Sequence, residues 1–242
     1  MITVLAMPCF NEADGIEEFL NDLLRELDNK VDYFVVLNDS SSDTTLDVLR
    51  HYSERVPKLR YLSNSQNLGH GPSFVNAIKY ALSLDPTIII TVDGDGQFEA
   101  REISEALQDF MGKDFDILEG VRINRTDPIF RKVVTYVLRL LVWVRARNRP
   151  LDSNTPFRIY RVGALKSLIE QIPDGSLIPN LRISILTRKN KFRYIEKRVQ
   201  SLSRRGVSSS GSTWKARWAW IPSKRFIHFC RTALIELWKF PV

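Results

Sequence analysis

A chain of 242 residues with 44% hydrophobic content suits one large globular domain, or one with a modest appendage, and sets aside a disordered polymer. Its two cysteines, Cys9 and Cys230, stand far apart in no ligand pattern, which fits reduced thiols in a cytosolic protein. The net charge of +7 is unevenly spread: residues 1–120 hold 9 Lys+Arg against 22 Asp+Glu, and residues 121–242 hold 26 against 6, so the second half suits nucleic acid, anionic lipid or a phosphorylated substrate.

Residues 2–7 form a short apolar run closed by Pro8 and are predicted as a buried strand; Met1 leads straight into it, so no secretory signal is expected. Residues 14–27 place Ile16, Phe19, Leu20, Leu23, Leu24 and Leu27 at helical spacing. A second apolar run covers 33–37, followed by the polar cluster 38–45 and a predicted helix over 45–52. Strands are then predicted at 59–62, 87–92 and 116–121, with helices at 74–84 and 102–111. This alternation predicts an α/β fold with a mostly parallel central sheet flanked by helices. Ligands of such sheets bind beyond the carboxyl ends of the strands, where the polar clusters after Leu37 and Val92 fall.

The second half is less regular. Residues 129–146 are mostly apolar, but Arg131, Thr135 and Arg139 recur every fourth residue and line one polar stripe of a helix. Arg139 leaves the run short of the roughly 18 uncharged residues of a spanning helix. Two readings remain: a basic helix with Trp143 lying in a membrane interface, or a buried helix packed on the sheet. Residues 224–240 are basic, aromatic and too interrupted to span, and are expected to dock on the domain.

Asp93-Gly94-Asp95-Gly96-Gln97 emerges from a predicted strand, with two carboxylates at alternate positions that can address one site. Two carboxylates so close repel each other; a hard divalent cation removes the conflict, and Gln97 can add an amide oxygen. An acidic turn would use the same residues. Pro8 to Glu12 follows the first strand and Asn38 to Thr45 the second; each contains helix-cap candidates, Asn11 or Asp14 in one and Asp43 in the other. All of these loops in order, at successive strand ends, are more than capping requires.

That ordered set resembles family 2 glycosyltransferases, and within them the dolichyl- and polyprenyl-phosphate glycosyltransferases. Pro8, Asn11 and Glu12 match the family's opening Pro-x-x-Asn-Glu element. Asp39, Ser41, Asp43 and Thr45 match its Asp-Asp-Gly-Ser-x-Asp-Gly-Thr element, with Asn38 for the first aspartate and Ser40 and Thr44 for the glycines. Asn67, Gly69 and Gly71 match an Asn-x-Gly-x-Gly element, and Asp93 to Gln97 is similar to the Asp-x-Asp-x-Gln metal motif. Gly120 and Arg122 match a Gly-x-Arg element, Arg131 with Thr135 is similar to an Arg-x-x-x-Ser pair, and Asp152 to Arg158 resembles the segment ending in Phe-Arg. Arg204 to Ser208 resembles an Arg-rich Gly-x-Ser loop that closes over the donor.

The resemblance implies a GT-A glycosyltransferase domain over residues 1–210, with a nucleotide-sugar and metal half (1–120), an acceptor half (121–210) and a C-terminal extension (211–242). It implies that Pro8, Phe10, Asn11, Glu12, Leu37 and Asp39 hold the nucleoside, with Asp93 and Gly94 near ribose and diphosphate. Asp95 and Gln97 would ligate Mg²⁺ or Mn²⁺, with Asp93 as a further candidate. Arg122, Arg131, Thr135 and Arg204 would hold an acceptor phosphate, and Asp95, Arg122 and Arg204 would carry catalysis. The expected partners are a nucleotide-diphosphate sugar, a polyprenyl or dolichyl phosphate or a glycan, and the cytoplasmic face of a membrane. Such an enzyme would invert the anomeric centre and need no general base. Transfer to a sugar hydroxyl is the alternative and needs a carboxylate base, for which Asp152 and Asp174 are available. A nucleic-acid-binding reading uses the bases and tryptophans of residues 214–220 but leaves the acidic loop without a use, so no nucleic acid is expected.

Overall fold

The apolar runs become strands whose two faces are both covered by helices, which is why they read as near-continuous hydrophobic stretches. In a computed structural model of the protein, the described residues are 1–124, 129–205, 231–232, 234–236 and 238, with 129–134 described by their backbone alone. The first half alternates β1 (Thr3–Cys9), α1 (Ile16–Leu27), β2 (Tyr33–Asn38), α2 (Thr45–Arg55), β3 (Leu59–Ser63), α3 (His70–Leu82), β4 (Ile88–Thr91) and α4 (Ala100–Met111). The second half adds β5 (Ile117–Ile123), α5 (Ile129–Ala146), β6 (Arg158–Arg161), α6 (Val162–Ile169), α7 (Pro179–Lys189) and β7 (Tyr194–Gln200). α3 starts at His70, ahead of the predicted 74, because Gly69 at φ +86° turns the chain straight into the helix.

The seven strands lie in the order β3-β2-β1-β4-β6-β5-β7. The sheet is mostly parallel, as expected, with one exception: β6 runs antiparallel to both β4 and β5. Because β6 enters from the opposite end, the segment leading into it, residues 152–157, lies at the edge where β4 and β5 finish. One layer of core packs Leu5, Met7, Phe34, Val36, Ile88 and Ile90 against α1, α2 and α4. The other packs their sequence neighbours Val4, Ala6, Val35, Leu37 and Ile89 against α3, α6 and α7.

α5 corrects the reading of residues 129–146 as a helix buried on the sheet. Its inner face, Leu138, Leu141, Val142 and Ala146, packs on Ile178, Leu181 and Ile185 at and within α7, while its outer face stays exposed. Among the described residues no helix is long and apolar enough to cross a membrane. The C-terminal stretch meets the domain through Glu236, which accepts hydrogen bonds from Leu177 N (2.8 Å), Ser176 Oγ (2.5 Å) and Arg182 Nε (2.7 Å) just before and within α7.

Candidate functional site

From β1 the chain proceeds to β2 and β3 on one side, then returns to place β4 on the other side of β1. The order of the strands therefore reverses between β1 and β4, the switch point beside which open α/β sheets bind ligands. The loops after β1, β2 and β4 meet there. Gly94 N donates to Pro8 O (3.1 Å), and a Cβ on Gly94 would stand 2.9 Å from that oxygen, so only glycine allows the two loops to approach this closely.

The acidic loop is tied down through its backbone. Leu202 N donates to Gln97 O (3.0 Å), Gln97 Nε2 to Leu202 O (3.3 Å) and Arg205 N to Asp95 O (3.1 Å). Gly96, at φ +69°, lies under Arg205, whose Cδ would be 2.6 Å from an added Cβ. Asp95 Oδ1 accepts a turn bond from Gln97 N (3.1 Å). Asp93 Oδ1 is buried with no hydrogen-bond partner, and His70 Nε2 stands 3.7 Å from it. Burial, and then the charge of Asp93, push the Asp95 carboxyl up to about 6, with Arg204 and Arg122 among the groups pulling it down. An orphaned carboxylate oxygen beside a second carboxylate that resists ionising is a donor set suited to a hard cation. The amide nitrogen of Gln97 is engaged by Leu202, so its oxygen is the end able to join that set.

The first two loops lock onto each other. Asn11, at φ 54°, accepts from Ser42 N (2.8 Å), Glu12 N donates to Thr45 Oγ1 (2.9 Å), and Ala13 N donates to Asp43 Oδ2 (3.2 Å). Asp43, the cap candidate of the second loop, does cap α2, its Oδ1 accepting from Thr45 N (3.0 Å), while the same carboxylate reaches Ala13 N of the first loop, so it serves both. Phe10 is half-buried beside them, whereas Pro8 and Leu37 are buried, Leu37 in the core beneath α3. Asp39 braces the next loop: its carboxylate accepts from Leu68 N (2.9 Å), Gly69 N (2.8 Å) and Asn64 Nδ2 (2.8 Å). Glu12 is buried, and burial pushes its carboxyl up to about 7 although Arg204 Nε and Nη2 bond both of its oxygens at 3.0 and 2.5 Å. The charges of Asp95 and Asp93 add to the upward push, which puts Glu12, Asp93, Asp95 and Arg204 in one electrostatic neighbourhood.

In the half expected to take the acceptor, Arg122 on β5 grips Asp152 with Nε and Nη2 at 2.7 and 3.1 Å, while Nη2 also donates to Asn154 O (3.1 Å). Asp174 is exposed beside Lys79 Nζ (2.8 Å), whose hydrogen bond lowers its carboxyl. Thr135 is half-buried on α5; the Arg131 side chain, the Gly206–Ser208 part of the Arg-rich loop and the tryptophans of 214–220 lie outside the described residues. Beneath this side lies a buried charged group that sequence reasoning missed. Glu119 accepts from Arg158 Nε (3.2 Å) and Arg188 Nη2 (2.8 Å), and Arg158 also donates to Asn180 Oδ1 (2.9 Å) and Ser184 Oγ (2.6 Å). His70 and Asn64 were not singled out, the glycines flanking His70 being the signal for it, and Arg205 was read only as part of the Arg204–Ser208 loop without a role of its own.

The family model described as Glycosyl transferase family 2 matches residues 4–172, from β1 to the turn after α6. An uncharacterized protein of Methanocaldococcus jannaschii is 24% identical over 203 residues, covering 82% of this chain and 80% of the relative. The undecaprenyl-phosphate 4-deoxy-4-formamido-L-arabinose transferase of Edwardsiella ictaluri is 25% identical over 187 residues, covering 76% of this chain; the match spans 56% of that longer relative. The solved glucosyl-3-phosphoglycerate synthase of Mycobacterium tuberculosis, in complex with Mn²⁺, UDP and glucosyl-3-phosphoglycerate, aligns with a TM-score of 0.67 at 14% identity, over 98% of this chain and 79% of that one. That likeness concerns the fold, which is GT-A. Since the family model covers most of the sheet and all three loops at the β1/β4 switch point, the chain belongs to glycosyl transferase family 2 and is a glycosyltransferase.

Proposed function

We propose that this glycosyltransferase moves a sugar from a nucleotide diphosphate to a polyprenyl or dolichyl phosphate, as a peripheral protein on the cytoplasmic face of a membrane, and that it depends on Mg²⁺ or Mn²⁺. The observation that carries the reading is the Asp93–Asp95 pair at the switch point, with one buried orphan oxygen and one carboxyl held near 6. A divalent cation bound there would neutralise the pair and stabilise the charge that builds on the departing diphosphate. Asp95 and Gln97 would hold it, with Asp93 adjoining. Among the described residues no group of three or more His, Cys, Asp or Glu side chains is placed to hold a metal, so the diphosphate would supply the remaining oxygens. Pro8, Phe10, Asn11 and Glu12 would line the nucleoside side, with Asp39 acting through the loop it braces.

Arg122 and Arg204 both lie close enough to Asp95 to lower its carboxyl, so two cations border the acidic loop. A phosphate acceptor is already anionic near neutral pH and needs such cations rather than a base; to hold it with two bonds a guanidinium fork would exchange the carboxylate it now engages, Asp152 for Arg122 and Glu12 for Arg204. Arg131 and Thr135 would extend that grip from α5. Attack by the phosphate oxygen on the anomeric carbon, opposite the departing diphosphate, would invert the configuration. The name of the Edwardsiella ictaluri relative supports a lipid-phosphate acceptor. The hydroxyl-acceptor alternative has less support, because Arg122 engages both oxygens of Asp152, and Asp174 is exposed beside Lys79.

The test is thermal. UDP or GDP is expected to raise the melting temperature only when Mn²⁺ or Mg²⁺ is present, and Asp95→Ala is expected to abolish the gain. A gain that is the same without metal would reject the cation's role. Offered an isoprenyl phosphate and a free oligosaccharide with labelled sugar nucleotides, the protein is expected to label the phosphate; label on the oligosaccharide alone would overturn the acceptor assignment.

A further inference from the structure

The large apolar side chains exposed among the described residues are concentrated on α5. Tyr136, Val137, Leu140, Trp143 and Val144 all face solvent, at 56%, 51% and 63% exposure for Tyr136, Trp143 and Val144. Their spacing of one, four, seven and eight residues from Tyr136 puts them on one stripe, opposite the face that packs on α7. A surface helix of a soluble domain normally reverses this pattern, with its polar side outward. The segment that carries the stripe has charges of one sign. From residue 128 to 151 the sequence holds Arg131, Lys132, Arg139, Arg145, Arg147 and Arg149 and no aspartate or glutamate. Arg149 lies over the Tyr136 ring at 5.3 Å, and Arg139 Nε donates to Pro150 O (3.0 Å), which sets both bases beside the stripe.

A second apolar exposure lies on the C-terminal stretch, where Leu234, Ile235 and Trp238 face solvent, Trp238 at 80%. Glu236 fastens this stretch to Ser176, Leu177 and Arg182, at the beginning of the same helix that supports α5. Both apolar surfaces are thus mounted on α7.

We infer that the outer face of α5 seats the enzyme on an anionic lipid surface. The aromatic and aliphatic side chains enter the headgroup boundary, and the bases beside them meet lipid phosphates. A second copy of the chain is a poor occupant, since two such faces would set Arg139 and Arg149 against their own copies, and residues 128–151 hold no acid to answer them. The inference rests on the lipid-phosphate reading for its purpose: Arg131 and Thr135, the proposed phosphate-holding residues, stand on the same helix, so a lipid acceptor would present its phosphate at the surface where α5 lies.

The experiment is co-sedimentation of the full chain with phosphatidylcholine vesicles, with and without phosphatidylglycerol, in the absence of sugar nucleotide. The wild type is expected to bind the anionic vesicles and to lose binding as salt rises. The Trp143→Glu, Val144→Glu double variant is expected to bind about tenfold more weakly with an unchanged melting temperature, since both positions are exposed. Trp143→Phe keeps the face apolar and is expected to retain binding while losing the part of the tryptophan quenching by brominated lipid that Trp143 contributes. Failure of the wild type to bind anionic vesicles, equal binding to neutral ones, or undiminished binding by the double variant would each overturn the inference. Sugar transfer to a short, water-soluble isoprenyl phosphate is measured alongside. Transfer without vesicle binding sinks the surface and spares the acceptor; vesicle binding without transfer does the reverse.

Discussion

Glu12 shows how one residue's surroundings set a measurable behaviour. Burial outweighs the attraction of Arg204 and holds its carboxyl near 7, against 4.5 for an unperturbed one. The folded protein therefore binds more protons than the unfolded chain between those values, and the associated stability is fully present below about 4.5 and lost as pH rises through about 7. Denaturation midpoints measured across that window should fall with rising pH, and Glu12→Gln should flatten the slope. Metal-linked nucleotide binding should respond in the opposite direction: Asp95 holds its proton up to about 6, so binding should weaken as pH falls below that point. Asp93, Asp95, Asn11 and Glu12 were legible in the sequence because each sits directly after an apolar run. Arg205 was legible as a member of the Arg204–Ser208 loop, but its backbone N–H bond to Asp95, made across 110 residues, was not, because no local pattern records it.

At the scale of elements, the first half, β5 and α5 were readable and the stretch from β6 to β7 was not, for a reason visible in the charges. β1, β2 and β4 are runs of uninterrupted apolar residues, so hydropathy alone locates them. β6 is four residues long and has an arginine at each end, while α7 buries Arg182 and Arg188. Their hydrophobicity is low because their burial is paid by Glu119, Glu196 and Glu236, acids that lie elsewhere in the chain. Glu119 joins β5 to Arg158 on β6 and to Arg188 on α7, so it neutralises two elements at once. Glu119→Ala should cost roughly 3–5 kcal/mol, because it leaves buried guanidinium charge uncompensated. Urea denaturation checks this, and a loss below about 1 kcal/mol, the size of an exposed pair, would show the cluster to be dispensable.

For the molecule as a whole, the antiparallel strand has a consequence for how the chain assembles during synthesis. Everything up to Met111 is built from successive strand–helix units whose partners are near in sequence, which favours early, local formation. The inner edge of β4, from Ile88 to Thr91, nevertheless waits for Arg158–Arg161, some 70 residues later, to cover it. A nascent or truncated chain ending near residue 112 would hold the loops after β1, β2 and β4 and still present three isoleucines and a threonine with an open hydrogen-bonding edge, a template for pairing with its own copies. Such a fragment should sediment as aggregate, whereas one ending after Arg205 should remain dispersed. The first half is thus not a detachable module: the ribosome must deliver β6 before that half has a finished boundary.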